Sequence, residues 1–151
     1  MSKNKPIEIL NRKAGFNYHA EQKFVAGIML SGTEVKSIRE GNVNMGDAYC
    51  YAEDNEVWLL NMHISPFRQG SFGQHEPMRQ RKLLLNKREI KKITVLAKNK
   101  GIALFPIRLF ENEKGIFKLE MGVGPGKKTH DKRDDLKEKD IQREISRLKI
   151  N

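Results

Sequence analysis

Two apolar, β-compatible segments, "IALFPIRLF" at 102–110 and "GIFKLEMGVG" at 115–124, are joined across the turn-forming stretch "ENEKG", which predicts an antiparallel hairpin. Pro106 lies inside the first segment. Proline has no N–H to give to a ladder, so it belongs at a sheet edge or a bulge. A second hairpin is predicted in "DAYCYAEDNEVWLLNMHI", where Asp54 and Asn55 form a turn-favouring pair. Further upstream Phe16, Tyr18 and Ala20, then Phe24, Ala26, Ile28 and Leu30, alternate with polar or small residues. That period of two suits two short strands or one bent one.

Helices punctuate these strands. In "LSGTEVKSIREGN" Ser31 stands three residues before Glu34, the spacing of a capping box, and Gly41 supplies a left-handed stop, so a short helix is expected at about 33–40. In "NKREIKKITVLAKNKG" Asn86 is the N-cap, Glu89 follows three residues on, and Ile90, Ile93 and Ala97 share one face, with Lys87, Arg88, Lys91 and Lys98 mostly elsewhere. The stretch 65–78, "SPFRQGSFGQHEPM", has no period and is expected to be a loop. Short strands with a few helices suggest a mainly β chain with helices, a small antiparallel barrel with two or three flanking helices, since closure removes exposed edges. The expected organisation is a basic arm at 1–13, a barrel at 14–123 and a tail at 124–151.

Charge narrows the partners. Lys and Arg number 29 against 19 acids, a net charge of +10, which favours a polyanion because each phosphate neutralised releases counterions. Nucleic acid leads and an anionic membrane surface follows. The excess is spread over the chain, with 20 basic and 13 acidic residues in 1–123 and nine basic and six acidic in 124–151. Cys50 is the one cysteine, so no disulfide framework exists and a reducing cytoplasm fits. No signal-peptide core and no apolar run of membrane-span length is present.

Candidate site residues follow from these features. Lys13 lies in the basic arm. "RQRKLLLNKREIKK" at 79–92 holds seven basic residues and one acid, among them Arg79, Arg81 and Lys82. It reads as a phosphate-tracking surface or as a solvated helix face beside a Leu83–Leu85 core. Glu34 has a sufficient structural role as the capping-box acid. "GVGPGKKT" at 122–129 has glycines near a lysine but fails as a nucleotide-phosphate loop, since Met121 and Lys128 occupy the places of a glycine and a Ser or Thr. His19, His63, His75 and His130 show no metal-ligand spacing, and no nucleophile or base motif accompanies them. His63 reads as a core or rim residue and His75 as a loop residue. No catalytic residue, cofactor or metal is expected.

The tail "GPGKKTHDKRDDLKEKD", continuing to Asn151, has no aromatic residue and few large apolar ones, so it cannot form a core of its own. Ile141, Ile145 and Leu148 nevertheless share a helical face. Disorder when free and helix on a partner is the expectation, because short isolated helices are marginal in water.

Four stretches in order, "NRKAGFNY" at 11–18, "AGIMLSGTEVKSIREG" at 26–41, "PMRQRKLLLNKREI" at 77–90 and "GKKTHDKRDDLKEKD" at 126–140, resemble the small protein B (SmpB) family, the partners of transfer-messenger RNA. The resemblance covers nearly the whole chain. It implies an OB-fold-like barrel that grips the tRNA-like domain of transfer-messenger RNA, and a non-enzyme acting in trans-translation on stalled ribosomes, together with elongation factor Tu. It places Asn11, Arg12, Glu34, Lys36, Leu85 and Asn86 on the RNA-facing side, some by contact and others by support. It also implies a tail that is disordered in solution and helical in the vacant decoding centre and mRNA channel, against ribosomal RNA. There Lys127, Lys128, His130, Asp131, Lys132 and Arg133 would lie near the decoding centre, with Lys137, Arg143 and Arg147 further along. A cytoplasmic protein, monomeric when free and without a membrane partner, is expected. The alternatives are a general single-stranded RNA-binding barrel using Phe67 and Phe72 as stacking platforms, and, ranked last, an RNA-processing enzyme using His63 or His75.

Overall fold

The computed structural model describes residues 6–67 and 74–127, together with 133, 139 and 141–143. The elements in chain order are β1 (Glu8–Leu10), α1 (Arg12–Asn17), β2 (Gln22–Ile28), α2 (Gly32–Arg39), β3 (Val43–Asn44), β4 (Tyr49–Glu53), β5 (Glu56–Leu60), β6 (His63–Ile64), β7 (Arg81–Leu84), α3 (Lys87–Ala97), β8 (Ile102–Glu111) and β9 (Phe117–Pro125). Seven strands form one antiparallel sheet in the order β1-β8-β9-β2-β7-β5-β4, and β3 pairs with β6. The sheet curls until β4 packs beside β8, with no hydrogen-bonded ladder joining them. The mainly β, barrel-like architecture expected from the sequence is therefore present, with a seam between β4 and β8.

The predicted hairpins form for the predicted reasons. Asp54 and Asn55 take φ of 49° and 61°, the paired left-handed conformation of a two-residue turn between β4 and β5. The longer hairpin joins β8 to β9, and its register shifts between Pro106 and Arg108. Pro106 thus marks a bulge and not an edge, because β1 pairs with β8 at residues 108–110. Asn11 secures this bulge. Its Nδ2 donates to the Pro106 carbonyl at 2.9 Å, its backbone N–H donates to the Ile107 carbonyl, and its Oδ1 caps α1 by accepting from the Ala14 N–H. One buried asparagine ends a strand, starts a helix and satisfies the irregular carbonyls that the proline creates.

Both capping boxes exist, Ser31 with Glu34 and Asn86 with Glu89, and they start α2 and α3 within a residue of the expected places. Gly41 ends α2 at φ 79°. Ala26, Ile38, Val57, Leu59, Ile64, Ile93, Leu109, Leu119 and Met121 are all fully buried and form one core between the sheet and the helices. Cys50 is buried there, and burial pushes its thiol pKa up, away from thiolate chemistry.

Three expectations need correction. The alternation at Phe16, Tyr18 and Ala20 is not strand: 12–17 is helical, because Asn11 caps it and Phe16 falls within α1. Tyr18 stacks on Phe105 at 4.7 Å between ring centroids. The arm expected at 1–13 gives way from Glu8 onward, where β1 joins the sheet. The first residues of the tail expected from 124 are held in the body, since β9 runs to Pro125, Gly126 bridges to Tyr18 and the Lys127 N–H donates to the Asn17 carbonyl. Of the tail, Arg133, Lys139 and 141–143 are helical and exposed. The remaining expectations about its order lie outside the described residues. Among the described residues no helix is long and apolar enough to cross a membrane.

Gly124 explains why the strand continues so far. A Cβ there would stand 1.7 Å from the His19 carbonyl oxygen, a backbone atom that cannot step aside. Gly124→Ala is expected to cost at least the ~1–3 kcal/mol typical of overpacking, read as a lower urea midpoint with an unchanged slope.

Candidate nucleic-acid interface

Among the described residues the Glu34 carboxylate is the acid whose side chain is fully buried. As the third residue of α2 it accepts from the Ser31 N–H at 2.8 Å. Arg79 Nη2 donates to the same oxygen at 2.5 Å, and Arg81 Nε donates to the other at 2.5 Å. Burial alone would raise its pKa. The hydrogen bonds from Arg79, Ser31 and Arg81, with the Arg81 charge, outweigh burial and hold it below the usual carboxylate range.

Arg81 is equally buried and spends its other donors on main-chain carbonyls, Met62 at 2.7 Å, Arg79 at 3.0 Å and Pro77 at 3.2 Å. Its side chain reaches the core because β7 alternates, with Arg81 and Leu83 facing inward and Leu84 outward. Arg79 is partly exposed and also donates to the Met29 carbonyl at 3.1 Å. These three side chains bind α2, the end of β2 and the approach to β7 into one block.

The segment around 65–67 and 74–79 is stitched to that block. His75 is buried; its Nε2 donates to the Ile64 carbonyl at 2.8 Å, which leaves Nδ1 to accept from the Thr33 hydroxyl at 2.8 Å. Ser37 Oγ donates to the Ser65 carbonyl at 2.6 Å. Gln74 holds Phe67 through both main-chain groups, and the Lys36 ammonium lies 5.5 Å from the Phe67 ring centre. Around this support Lys36 is exposed, Arg79 is half-buried, and Met29, whose carbonyl Arg79 contacts, is exposed. His75 lies outside helix and strand, as expected of a loop residue, and is held there by these two contacts. Its role is invisible in sequence because its partners are 42 and 11 residues away.

The candidate residues divide by position. Glu34, Arg81 and Asn11 are buried and hydrogen-bonded within the protein. Lys36, Arg79, Lys82, Leu85 and Asn86 have exposed or half-buried side chains around α2 and β7. Arg12 and Lys13 sit on α1, near the opposite end of β2 from Met29, a separation of about 20 Å along the strand. Lys13 is paired with Asp47 at 2.8 Å, an exposed contact that solvent screens. Lys82 is paired with Glu56 at 3.0 Å. Lys127, Arg133 and Arg143 are described, whereas Lys128, His130, Asp131, Lys132, Lys137 and Arg147 lie outside the described residues, as does Phe72. Among the described residues no group of three or more His, Cys, Asp or Glu side chains could hold a metal.

Comparison with known proteins gives a consistent result. The family described as "SmpB protein" matches residues 8–151. An SsrA-binding protein of Phocaeicola vulgatus is 48% identical over 143 residues, 95% of this chain and 95% of that protein. One from Bacillus velezensis is 50% identical over 137 residues, 91% of this chain and 87% of that protein. A chain from a solved structure described as "tmRNA-SmpB: a journey to the center of the bacterial ribosome" superimposes with a TM-score of 0.69 at 38% identity, covering 81% of this chain and 85% of that one.

Because Glu34 has a depressed pKa, its stabilisation is complete above the unfolded carboxylate value of about 4.3 and is lost as pH falls through the lower folded value. Glu34→Gln is expected to cost about 3–5 kcal/mol at pH 7, the usual cost of leaving a buried ion without its partner. The gap between mutant and parent in urea denaturation should narrow below about pH 4. A gap that stays constant with pH would remove the carboxylate charge from the explanation.

Proposed function

The chain belongs to the SmpB family, and from that premise we propose that its α2–β7 face grips the tRNA-like domain of transfer-messenger RNA. It binds that RNA and takes part in trans-translation on the ribosome. The observation that carries the finer reading is the cationic character of this region, where Lys36 is exposed on α2 and the part-exposed Arg79 guanidinium is held on the buried Glu34 beside Arg81. Cations fixed by a rigid base suit phosphate contacts that position a folded RNA. Leu85 and Asn86, at the far end of β7, would extend the contact, and Arg12 and Lys13 would meet a second part of the same RNA. Asn11, Glu34 and Arg81 act through support.

The tail beyond Lys127 would serve on the ribosome, in the vacant decoding centre and mRNA channel. Arg133 and Arg143 are exposed in helical backbone, as that reading requires of them. Delivery would include elongation factor Tu, the free chain would be a monomer, and the place of action would be the cytoplasm. The assigned role is binding, without a catalytic residue of its own.

Two measurements test this. A tRNA-like fragment of transfer-messenger RNA should outcompete an unstructured single strand of equal length, with log affinity falling against log salt by about 0.7–0.9 per phosphate neutralised. Equal competition would favour a general single-strand binder. Ending the chain after Lys127 keeps the Gly126 bridge and should retain RNA binding while abolishing tagging on stalled ribosomes. Tagging by the shortened chain would overturn the role given to the tail.

A further inference from the structure

α3 presents a face that the α2–β7 site does not use. Lys87, Arg88, Lys91, Lys92, Val95 and Lys98 are exposed, while Ile93 is buried and Ile90, Leu96 and Ala97 pack on the core. At about 100° per residue the five cations fall within an arc of about 140° around Val95. No aromatic lies on that arc. The one acid of the helix, Glu89, is turned away to accept from the Asn86 N–H at 3.2 Å. Among the described residues no ion pair engages any of the five. Lys87 and Lys91, and Arg88 and Lys92, are four residues apart, where like charges repel along a helix.

The surface is also hollowed. A depression of about 400 Å³ lies among Asn55, Lys87, Ile90 and Lys91, and another of about 400 Å³ among Arg88, Lys91, Lys92, Val95 and Leu96, with Lys91 shared between them. The whole face begins beyond the end of β7 that is remote from Arg79 and Arg81, across about 10 Å of strand.

We propose that this face of α3 is a second RNA-docking surface, which holds a duplex segment by its phosphate backbone while the α2–β7 face is occupied. Cations at helical spacing follow a backbone, and the lack of an aromatic platform disfavours unpaired bases, which need stacking partners. An A-form duplex hides its bases and offers phosphates and hydroxyls, matching what α3 presents. A polyanion also relieves the repulsion between the paired lysines and arginines. The inference rests on the reading of the chain as an RNA-binding protein.

The test uses the full chain carrying R88E, K91E and K92E, exposed positions outside the α2–β7 site. Its probes are the tRNA-like fragment and a blunt RNA duplex of about 16 base pairs, a length one backbone-reading domain spans. The parent should bind both RNAs together in one complex. The triple variant should lose about tenfold or more in duplex affinity, with a salt slope smaller by about two to three, and keep its affinity for the tRNA-like fragment within about twofold. K91Q with K92Q should show a smaller loss in the same direction. Unchanged duplex binding would overturn the proposal, as would equal loss of both RNAs in a variant of unchanged melting temperature, since α3 would then belong to the first surface. Loss of binding to anionic vesicles, with duplex binding intact, would assign the face to a membrane instead. A parent chain that binds neither RNA would overturn the function on which the inference rests, a result distinct from all of these.

Discussion

A carboxylate buried away from water without partners would be untenable, and the environment of Glu34 is built around that fact. Its two oxygens take three donors from three places in the chain: the Ser31 N–H of its own helix cap, Arg79 before β7 and Arg81 within β7. Arg81 in turn needs carbonyls and finds them at Met62, Pro77 and Arg79. Each desolvated charge therefore recruits further main chain. The result is a hydrogen-bonded cluster with the half-buried Arg79 at its margin and the exposed Lys36 two residues beyond Glu34 on α2. Geometry of this kind trades some net stability for a defined surface, since a buried ion pair contributes less than its short contacts suggest.

A second constraint sits at the other end of the sheet. Pro106 removes a ladder donor from β8, and the strand answers with a bulge between Pro106 and Arg108. Asn11 covers the exposed carbonyls and, with the same side chain, begins α1. Gly124 lets the His19 main chain approach β9 more closely than any side chain would permit. These contacts bring Tyr18 beside Gly126. Backbone packing therefore keeps residues 124–126 in the sheet despite the change in composition at 124.

The surface chemistry follows from these two ends. One face, at α2 and the start of β7, has two arginines clamped by the buried Glu34 and by main-chain carbonyls. The other, on α3, has cations with no ion-pair partner among the described residues. An RNA-binding protein that meets a large, folded partner gains from both, since separated contacts fix orientation while each contributes counterion release.

Much of the fold was legible in the sequence, because its signals are local. Ser31 with Glu34 and Asn86 with Glu89 announce helix starts, Asp54 and Asn55 announce a hairpin, and Pro106 announces an edge or a bulge, each through the chemistry of residues a few positions apart. Family membership was legible too, since "SGTEVKS", "RQRKLLL" and "GKKTHDKR" occur together and in order. What the sequence left open depends on neighbours far along the chain. The basic run at 79–92 shows its charge but not that Arg81 points into the core while Arg79 reaches the surface; the phase of β7 against β2 and β5 decides that. His75 looks like a loop residue until Thr33 and Ile64 close on its ring, and Phe16 follows a strand-like alternation until Asn11 caps a helix beneath it. The sequence by itself determined the capped helices α2 and α3, the two hairpins and the sign of the surface, but not α1 or β1. Only the tertiary structure decided which charges are buried supports and which are free to meet a phosphate, because burial is a property of what packs against a residue and not of the residue.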